Sequence, residues 1–259
     1  MKRAWIAGFL ITAVGITKFG YDYFYFDVDL RVKANTVATA SPSPSPSAST
    51  SSEPMKPIEP LVPPTKIEVQ QALASMAIPV GDQDGKWGAR TRQALCIWRE
   101  LTGRDVNRNL PTLQEQYAVV AQEDLYLPKD FVVGLNVNKT CQSVVWLKES
   151  GKFLITIAST GAAGMETDTG IFTVQWRVDR WYESIAFPDG WMYRPMFFNR
   201  GEAVHGSEFD TMVLPYPASH GCVRMLGRFI DGLWAGGFGN GSTVRVYGNY
   251  NPITADPEI

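Results

Sequence analysis

The sequence predicts a small all-α segment followed by a larger, mostly β domain with a sandwich or barrel architecture. Between residues 65 and 121, apolar residues recur at the spacing of one helical face, whereas after Pro128 they alternate with a period of two. Sixteen of the 23 glycines lie from Gly134 onward, which is typical of short strands joined by turns. Hydrophobic residues make up 45% of the chain and charged residues 19%, as in ordinary globular proteins.

Charge and cysteine content exclude several classes of protein. The formal net charge is −2, and without a basic excess the chain is not expected to bind nucleic acid. Three cysteines and two histidines are too few for a disulfide-built miniprotein or an array of zinc ribbons. We therefore expect a globular protein in which the few cysteines and histidines have individual roles.

Residues 1–30 have the features of an export signal. Lys2 and Arg3 precede an apolar run of about 14 residues, which is the size of a signal-peptide core and short for a membrane span. Because the small-residue triplet Ala38-Thr39-Ala40 comes too late for cleavage, an uncleaved signal-anchor is favoured over a cleaved signal peptide. A buried helix of a cytosolic protein is a weaker alternative. Either export signal places the rest of the chain in the cell envelope, outside the cytoplasmic membrane, and the anchor would hold it there.

A Pro/Ser-rich linker is expected at residues 31–64. From Ser41 to Pro64, proline and serine account for 15 of 24 residues, so this segment has almost nothing to bury. We expect an extended spacer that holds the folded part away from the membrane, or else a passive tail.

Three helices are expected within residues 65–127. Thr65 and Glu68 form a capping-box pattern directly after two prolines and mark the start of the first helix. The other two helices are expected at Ala89–Leu101 and Thr112–Ala121.

The β domain is expected over residues 130–248, followed by a loose tail at 249–259. β-branched, alternating segments separated by turn residues predict its strands. They are Phe131–Val137, Ser143–Leu147, Phe153–Ser159, Ile171–Trp176 and Thr243–Tyr247, with a short helix near Leu226–Trp234.

Both histidines and one cysteine fall within 18 residues of each other, between His205 and Cys222. A free thiol is mostly protonated at neutral pH, so a thiol nucleophile needs an imidazole that takes its proton and holds the thiolate as an ion pair. A third group must orient that imidazole, and backbone N–H groups must face the developing oxyanion. Cys222, next to Gly221, fits the nucleophile. His205, followed by Gly206, fits a base supplied by a neighbouring strand. Arg224 places a cation where a substrate carboxylate can dock.

Longer motifs surround these residues. They are P-A-S-H-G-C-V-R-M at Pro217–Met225, the segment Tyr193–Ser207 that ends in H-G-S, and S-T-G at Ser159–Gly161. Together they resemble the signature of the L,D-transpeptidase catalytic domain family over nearly all of Val133–Tyr247. The chain departs from the family's T-P-T-G turn at Thr167-Asp168-Thr169-Gly170, where Asp replaces Pro. We expect this difference to affect the rigidity of the turn and not the catalytic groups.

The resemblance implies a cysteine peptidyltransferase that cross-links peptidoglycan stem peptides in cell-wall biogenesis, with no metal or cofactor. Cys222 would attack the carbonyl that precedes the terminal D-Ala of a donor tetrapeptide, and His205 would deprotonate the thiol and later activate the acceptor amine. The other residues of the signature would help to hold the oxyanion (His220 and Gly221) or shape the site (Ser219, Gly206 and Arg224). The resemblance also implies that carbapenem-type inhibitors acylate Cys222.

Other functions stay open at this point. If water replaces the acceptor, the same site is an L,D-carboxypeptidase. Two histidines and one cysteine could instead bind zinc, although His220 and Cys222 are only two residues apart. The remaining alternatives are a non-catalytic wall-binding protein and a buried structural cysteine. Tyr193 and Tyr216 are candidate walls of a peptide cleft, with core packing as their alternative.

The helical segment carries a second resemblance and one half of a cysteine pair. V-Q-Q-A-L … D-G-K-W-G-A-R-T-R-Q-A-L at Val69–Leu95 resembles the small helical peptidoglycan-binding domain family, and a spacer without a ligand is the alternative. In an oxidising exterior, the leftover Cys96 and Cys141 predict a disulfide that ties the helical segment to the β domain. Two separately buried thiols are the alternative.

Overall fold

The computed structural model describes residues 62–188 and 190–251. The predicted export signal at 1–30, the linker as far as residue 61 and the tail from residue 252 lie outside the described residues. Within the part of the chain that is described, no helix combines the length and apolarity needed to cross a membrane.

Three helices occur where the periodicity predicts them. Helix α1 spans Lys66–Ser75, α2 spans Ala89–Leu101 and α3 spans Leu113–Val120. Both α1 and α3 begin with a capping box, in which a threonine hydroxyl accepts from the third backbone N–H and a glutamate accepts from the threonine N–H. These pairs are Thr65 with Glu68 and Thr112 with Glu115.

The remainder of the described chain is mostly β, which confirms the predicted fold class. The strands are β1 Gly134–Asn138, β2 Ser143–Leu147, β3 Phe153–Ser159, β4 Gly170–Thr173, β5 Trp176–Arg177, β6 Trp181–Glu183, β7 Trp191–Asn199, β8 Glu202–Gly206, β9 Val223–Met225 and β10 Thr243–Tyr247. They form one curled mixed sheet in the order β4-β10-β1-β2-β3-β9-β8-β7-β5, with β6 paired to β7. Two neighbouring pairs are parallel, namely β1 with β10 and β8 with β9.

Two strand predictions need correction. The first strand begins at Gly134 and not at Phe131, because the Asn136 side chain binds both the N–H and the carbonyl of Val132 and takes them out of the ladder. The predicted strand Ile171–Trp176 is divided into β4 and β5, because the chain changes partners there. The Val174 N–H donates to Ser242 beside β10, whereas the Gln175 N–H donates to Phe197 of β7.

The sheet is buried on both faces. Val144 and Trp146 of β2 point into a core shared with helix α4 (Gly227–Ala235), whereas the intervening Val145 packs against α1 and α2. The second core joins residues of α1 and α2, among them Leu73 and Trp98, to the sheet. The helical segment and the β domain therefore share one continuous core.

Covalent and polar contacts reinforce this shared core. Cys96 of α2 forms the predicted disulfide with Cys141 in the β1–β2 turn. One turn further along α2, the carboxylate of Glu100 is buried and accepts hydrogen bonds from Asn138 at 2.8 Å and from the Tyr247 hydroxyl at 2.7 Å. Burial raises the pKa of Glu100.

Candidate active site

The sheet register brings the main candidate residues to one face of two adjacent strands. In the parallel pair of β8 and β9, His205 lies opposite Arg224, and Cys222 directly precedes β9. Because side chains alternate along a strand, residues 203 and 205 point to the same face as residues 222 and 224. His205, Cys222 and Arg224 accordingly line one cleft.

The chain makes a fixed turn just before the nucleophile. Gly221 has a φ of 105°, which L side chains rarely adopt, so the residue before Cys222 needs to be glycine. The Ser219 hydroxyl donates a hydrogen bond to the Cys222 carbonyl. The Ser219 N–H in turn donates to the Thr160 carbonyl at 3.0 Å. Ser219 and Gly221 thus act on the backbone that carries the nucleophile.

Cys222 is a free, partly buried thiol. Its Sγ accepts a hydrogen bond from the Ala203 N–H at 3.4 Å and donates one to the Gly201 carbonyl at 3.8 Å. Burial raises the pKa of the Cys222 thiol to about 11. The Ala203 N–H opposes this shift, whereas the carboxylate of Glu202 adds to it. The resting group is therefore the thiol.

His205 is buried and lines the same cleft as this thiol, with its Nδ1 atom 2.8 Å from the Gly206 carbonyl oxygen. A carbonyl oxygen can only accept, so Nδ1 carries the proton and Nε2 is the basic nitrogen. Burial lowers the pKa of His205 to about 4, which keeps the imidazole neutral at physiological pH. The carbonyl of Gly206 is thus the third group that orients the base.

Burial disfavours the expected ion pair between thiolate and imidazolium in the resting site. Burial disfavours the charged form of each group, so Cys222 and His205 are both neutral before substrate arrives. A neutral imidazole with a basic Nε2 can still take the thiol proton while the sulfur attacks a carbonyl. General-base chemistry by His205 thus stays possible, with the proton moving as the sulfur attacks and not before.

A cleft of about 390 Å³ opens over the thiol. One of its walls is aromatic and comes from β5, β6, β7 and the loop between β6 and β7, where Trp176 stacks on Phe197 with ring centroids 3.8 Å apart. Charged side chains also line the cleft. The lining includes Trp176, Tyr182, Phe187, Trp191, Phe197, Arg200, Glu202, His205, Ser219, His220, Cys222 and Arg224.

Of three further predicted site residues, one is exposed in the cleft lining and two lie outside that lining. His220 is exposed and stacks on Phe187 of the aromatic wall, with ring centroids 4.3 Å apart. Tyr193 and Tyr216 do not belong to the cleft lining, in contrast to the prediction. The Tyr193 hydroxyl donates to Asp231 of α4 at 2.8 Å, and its ring packs against the core on that side of the sheet.

Sequence reasoning missed Thr167. Its hydroxyl is fully buried, accepts from the Gly161 N–H at 2.9 Å and donates to the Gly221 carbonyl at 2.8 Å. This one side chain therefore links the loop after β3 to the turn that carries Cys222. Its place in the T-D-T-G turn was the signal that could have identified it.

Sequence reasoning also missed Glu202. This residue accounts for the aspartate at position 168, where the resembled family has proline. The Glu202 carboxylate lines the cleft and accepts hydrogen bonds from the Asp168 N–H at 2.8 Å and from the Asn199 amide at 2.9 Å. A proline at position 168 has no N–H to donate. In this chain, hydrogen bonds from Asp168 to Glu202 and from Asn199 to Asp168 hold the turn. In the family that the sequence resembles, a proline ring stiffens the same turn.

The geometry does not support the zinc alternative. A zinc site would need His205, His220 and Cys222 to converge. Among residues 62–188 and 190–251, no group of three His, Cys, Asp or Glu side chains is placed to hold a metal ion. The cleft instead brings together a free thiol (Cys222), a neutral imidazole (His205) and a guanidinium (Arg224). These groups can carry out thiol-dependent acyl transfer.

Comparisons with known proteins agree with this class. The family model of the L,D-transpeptidase catalytic domain (YkuD) matches residues 133–235. The crystal structure of an L,D-transpeptidase from Xylanimonas cellulosilytica is similar, with a TM-score of 0.51 and 27% identity over 75% of this chain and 100% of that chain. One from Stackebrandtia nassauensis has a TM-score of 0.44 and 22% identity over 71% of this chain and 91% of that chain. No curated protein matches the chain. Residues 133–235 thus match the model of the L,D-transpeptidase catalytic domain family.

Proposed function

We propose that this chain is an L,D-transpeptidase that cross-links peptidoglycan stem peptides through a thioester on Cys222. The observation that carries the proposal is the neutral His205, held by the Gly206 carbonyl in one cleft with the free thiol. Its Nε2 atom is the basic nitrogen, so a proton can pass from sulfur to nitrogen as the thiol attacks. The family match of residues 133–235 supports the same reaction class.

In the first step, Cys222 Sγ attacks the carbonyl carbon that precedes the terminal D-Ala of a donor tetrapeptide. The thiol proton moves to His205 Nε2, and a carbon–sulfur bond forms. When the tetrahedral intermediate collapses, the carbon–nitrogen bond breaks and His205 returns the proton to the departing amine of D-Ala. The product is a thioester of the shortened donor.

In the second step, the primary amine of an acceptor stem peptide attacks the thioester carbon. His205 takes a proton from that amine, the carbon–sulfur bond breaks, and the proton returns to the Cys222 sulfur. The net reaction exchanges one amide bond for another and therefore needs no cofactor. Arg224, on the same strand face, is placed to receive a carboxylate of the peptide.

The test is incubation of the purified chain with a disaccharide tetrapeptide, followed by mass spectrometry. Cross-linked dimer supports the proposal, whereas tripeptide alone indicates an L,D-carboxypeptidase. Binding without turnover would indicate a non-catalytic wall protein. Cys222→Ala and His205→Asn are expected to abolish dimer formation, and a carbapenem is expected to add its mass to the wild type but not to Cys222→Ala.

The proposal includes a location outside the cytoplasmic membrane. The Cys96–Cys141 disulfide supports it, because structural disulfides persist in oxidising compartments. The N-terminal signal-anchor is proposed to hold the enzyme in the envelope. Fractionation of cells that express the full chain tests this: membrane-bound enzyme of full length supports the anchor, and a shortened soluble form indicates cleavage.

A further inference from the structure

Two arginines of the helical segment bind the loop that leads to the nucleophile. The Arg90 guanidinium donates to the Val213 carbonyl, and the Arg108 guanidinium donates to the Pro215 carbonyl. Arg108 is 2% exposed and also donates to the Ala89 carbonyl at the start of α2. The entry into the catalytic loop is therefore fixed from the helical side.

Helix α2 also holds the other side of that loop, through the β1–β2 turn. Gln93, which accepts from Arg90 at 2.9 Å, donates to the Gln142 carbonyl. Gln142 is fully buried and has a φ of 55°, a conformation uncommon for a residue with a side chain. The neighbouring Cys141 carries the disulfide to α2, so this turn is tied to the helix twice.

The Gln142 side chain transmits this position to the nucleophile. Its amide donates to the Thr160 hydroxyl at 2.8 Å and accepts from the Thr160 N–H at 2.8 Å. The Thr160 carbonyl in turn accepts from the N–H groups of Ala218 and Ser219, both at 3.0 Å. The Ser219 hydroxyl then donates to the Cys222 carbonyl. Each partner in this path is a polar group that needs its hydrogen bond, because most of the path is buried.

We propose that the helical segment is a positioning element for the nucleophile, in which α2 and Arg108 hold the loop from Val213 to Cys222 at both ends. Arg90, Arg108 and Gln142 are positioning residues, since they act through the backbone of that loop and do not line the cleft. This role is independent of glycan binding by the segment. The positioning role deepens the proposed function. Measuring it by peptide transfer rests on that function.

The test compares Arg90→Met, Arg90→Lys and Gln142→Met with the wild type at 25 °C, after circular dichroism has shown that each is folded. Misplacing the nucleophile by about 1 Å is expected to lower kcat for peptide transfer by roughly 10- to 100-fold, with KM for the donor within about 2-fold. Arg90→Lys keeps a donor for Val213 and is expected to recover much of the rate. Arg104→Met is the matched control, because Arg104 pairs with Glu123 within the helical segment.

Alkylation of Cys222 by iodoacetamide provides a readout that does not depend on transpeptidase activity. A loosened loop admits water to the thiol, lowers its pKa and speeds alkylation, so Arg90→Met and Gln142→Met are expected to react faster than the wild type. Wild-type rates of both transfer and alkylation in these folded variants would overturn the proposal, as would an equal effect in Arg104→Met. If the wild type transfers no peptide, the proposed function fails, while alkylation still tests the positioning role.

Discussion

At the scale of single residues, the site keeps its nucleophile and base neutral until they are used. Burial acts on both groups in the sense that removes charge, since it raises the pKa of Cys222 to about 11 and lowers that of His205 to about 4. A resting thiol is less prone to oxidation and alkylation than a thiolate, which would suit the proposed location outside the cytoplasmic membrane. In the proposed reaction, the reactive anion forms only when a substrate carbonyl is in position to react with it.

The raised pKa of Cys222 predicts the pH profile of its alkylation. The rate with iodoacetamide is expected to climb with pH through 9 and beyond, because the thiolate fraction keeps increasing towards a pKa of about 11. Rates are measured by mass spectrometry between neutral pH and about 10, against a free model thiol of pKa about 8.5. A plateau already reached near neutral pH would instead indicate a preformed ion pair.

The lowered pKa of His205 predicts a loss of stability in acid. The unfolded chain binds a proton at a pKa of about 6.5, whereas the folded chain resists protonation down to about 4. Stability is therefore complete above pH about 6.5 and falls as the pH is lowered towards 4, by about 2–3 kcal/mol at pH about 4.5. Urea unfolding at pH about 6.5 and at pH about 4.5 measures this loss of unfolding free energy. His205→Asn is the reference, since it lacks this component and should lose less stability on acidification.

At the scale of elements, the turn that carries the nucleophile depends on neighbouring loops. Thr167 bridges Gly161 and Gly221, while the hydrogen bond between Asp168 and Glu202 joins the turn at residues 167–170 to β8. The parallel pairing of β8 with β9 then sets the distance along the strands between the base and the thiol. The site is thus built from backbone positions that several elements hold in common.

Thr167→Val is expected to weaken this turn. It leaves the Gly161 N–H and the Gly221 carbonyl buried without their shared partner, which costs about 2 kcal/mol of unfolding free energy and about 10-fold in transfer rate. Chemical denaturation and steady-state kinetics measure the two effects. Thr167→Ser retains the hydroxyl and should keep most of the activity. A Thr167→Val variant with the stability and transfer rate of the wild type would show that the two hydrogen bonds do not matter.

Elements with strong local signals could be predicted from the sequence. The capping boxes at Thr65 and Thr112 mark helix starts, and β2, β3 and β10 have the predicted bounds because they are rich in β-branched residues and are bounded by turn residues. The strands β6 and β7 were not assigned, since the aromatic run from Trp181 to Phe198 serves a cleft wall as well as a core and is poor in β-branched residues.

The same distinction applies to the site. His205 and Cys222 could be found because a thiol and an imidazole flanked by glycines form a recognisable motif. The contacts of Thr167 and Glu202 could not, because they join positions 54 and 34 residues apart in the chain. Nor could the pKa shifts, which depend on burial by the completed fold.

At the scale of the whole molecule, the helical segment and the β domain form one body. They share a core around Trp98, Cys141 and Val145, and the buried Glu100 of α2 binds Asn138 and Tyr247 of the sheet. A segment that resembles a separate binding module thereby binds the loop that leads to Cys222, through Arg90 and Arg108. The two parts are expected to unfold in a single transition.

The disulfide predicts how strongly this single body depends on its covalent link. Cys96 and Cys141 are 45 residues apart, and closing a loop of that length in the unfolded chain is worth about 4 kcal/mol in the chain-entropy model. The double variant Cys96→Ser/Cys141→Ser is expected to lose about that much unfolding free energy in urea. Because the two residues also tie α2 to the turn that contains Gln142, the variant should transfer peptide more slowly even well below its unfolding transition. The wild type under a reductant that leaves Cys222 free is the matched control, since it breaks the same link without changing a side chain. A stability loss with full activity would separate the link from catalysis and confine its role to the unfolded chain.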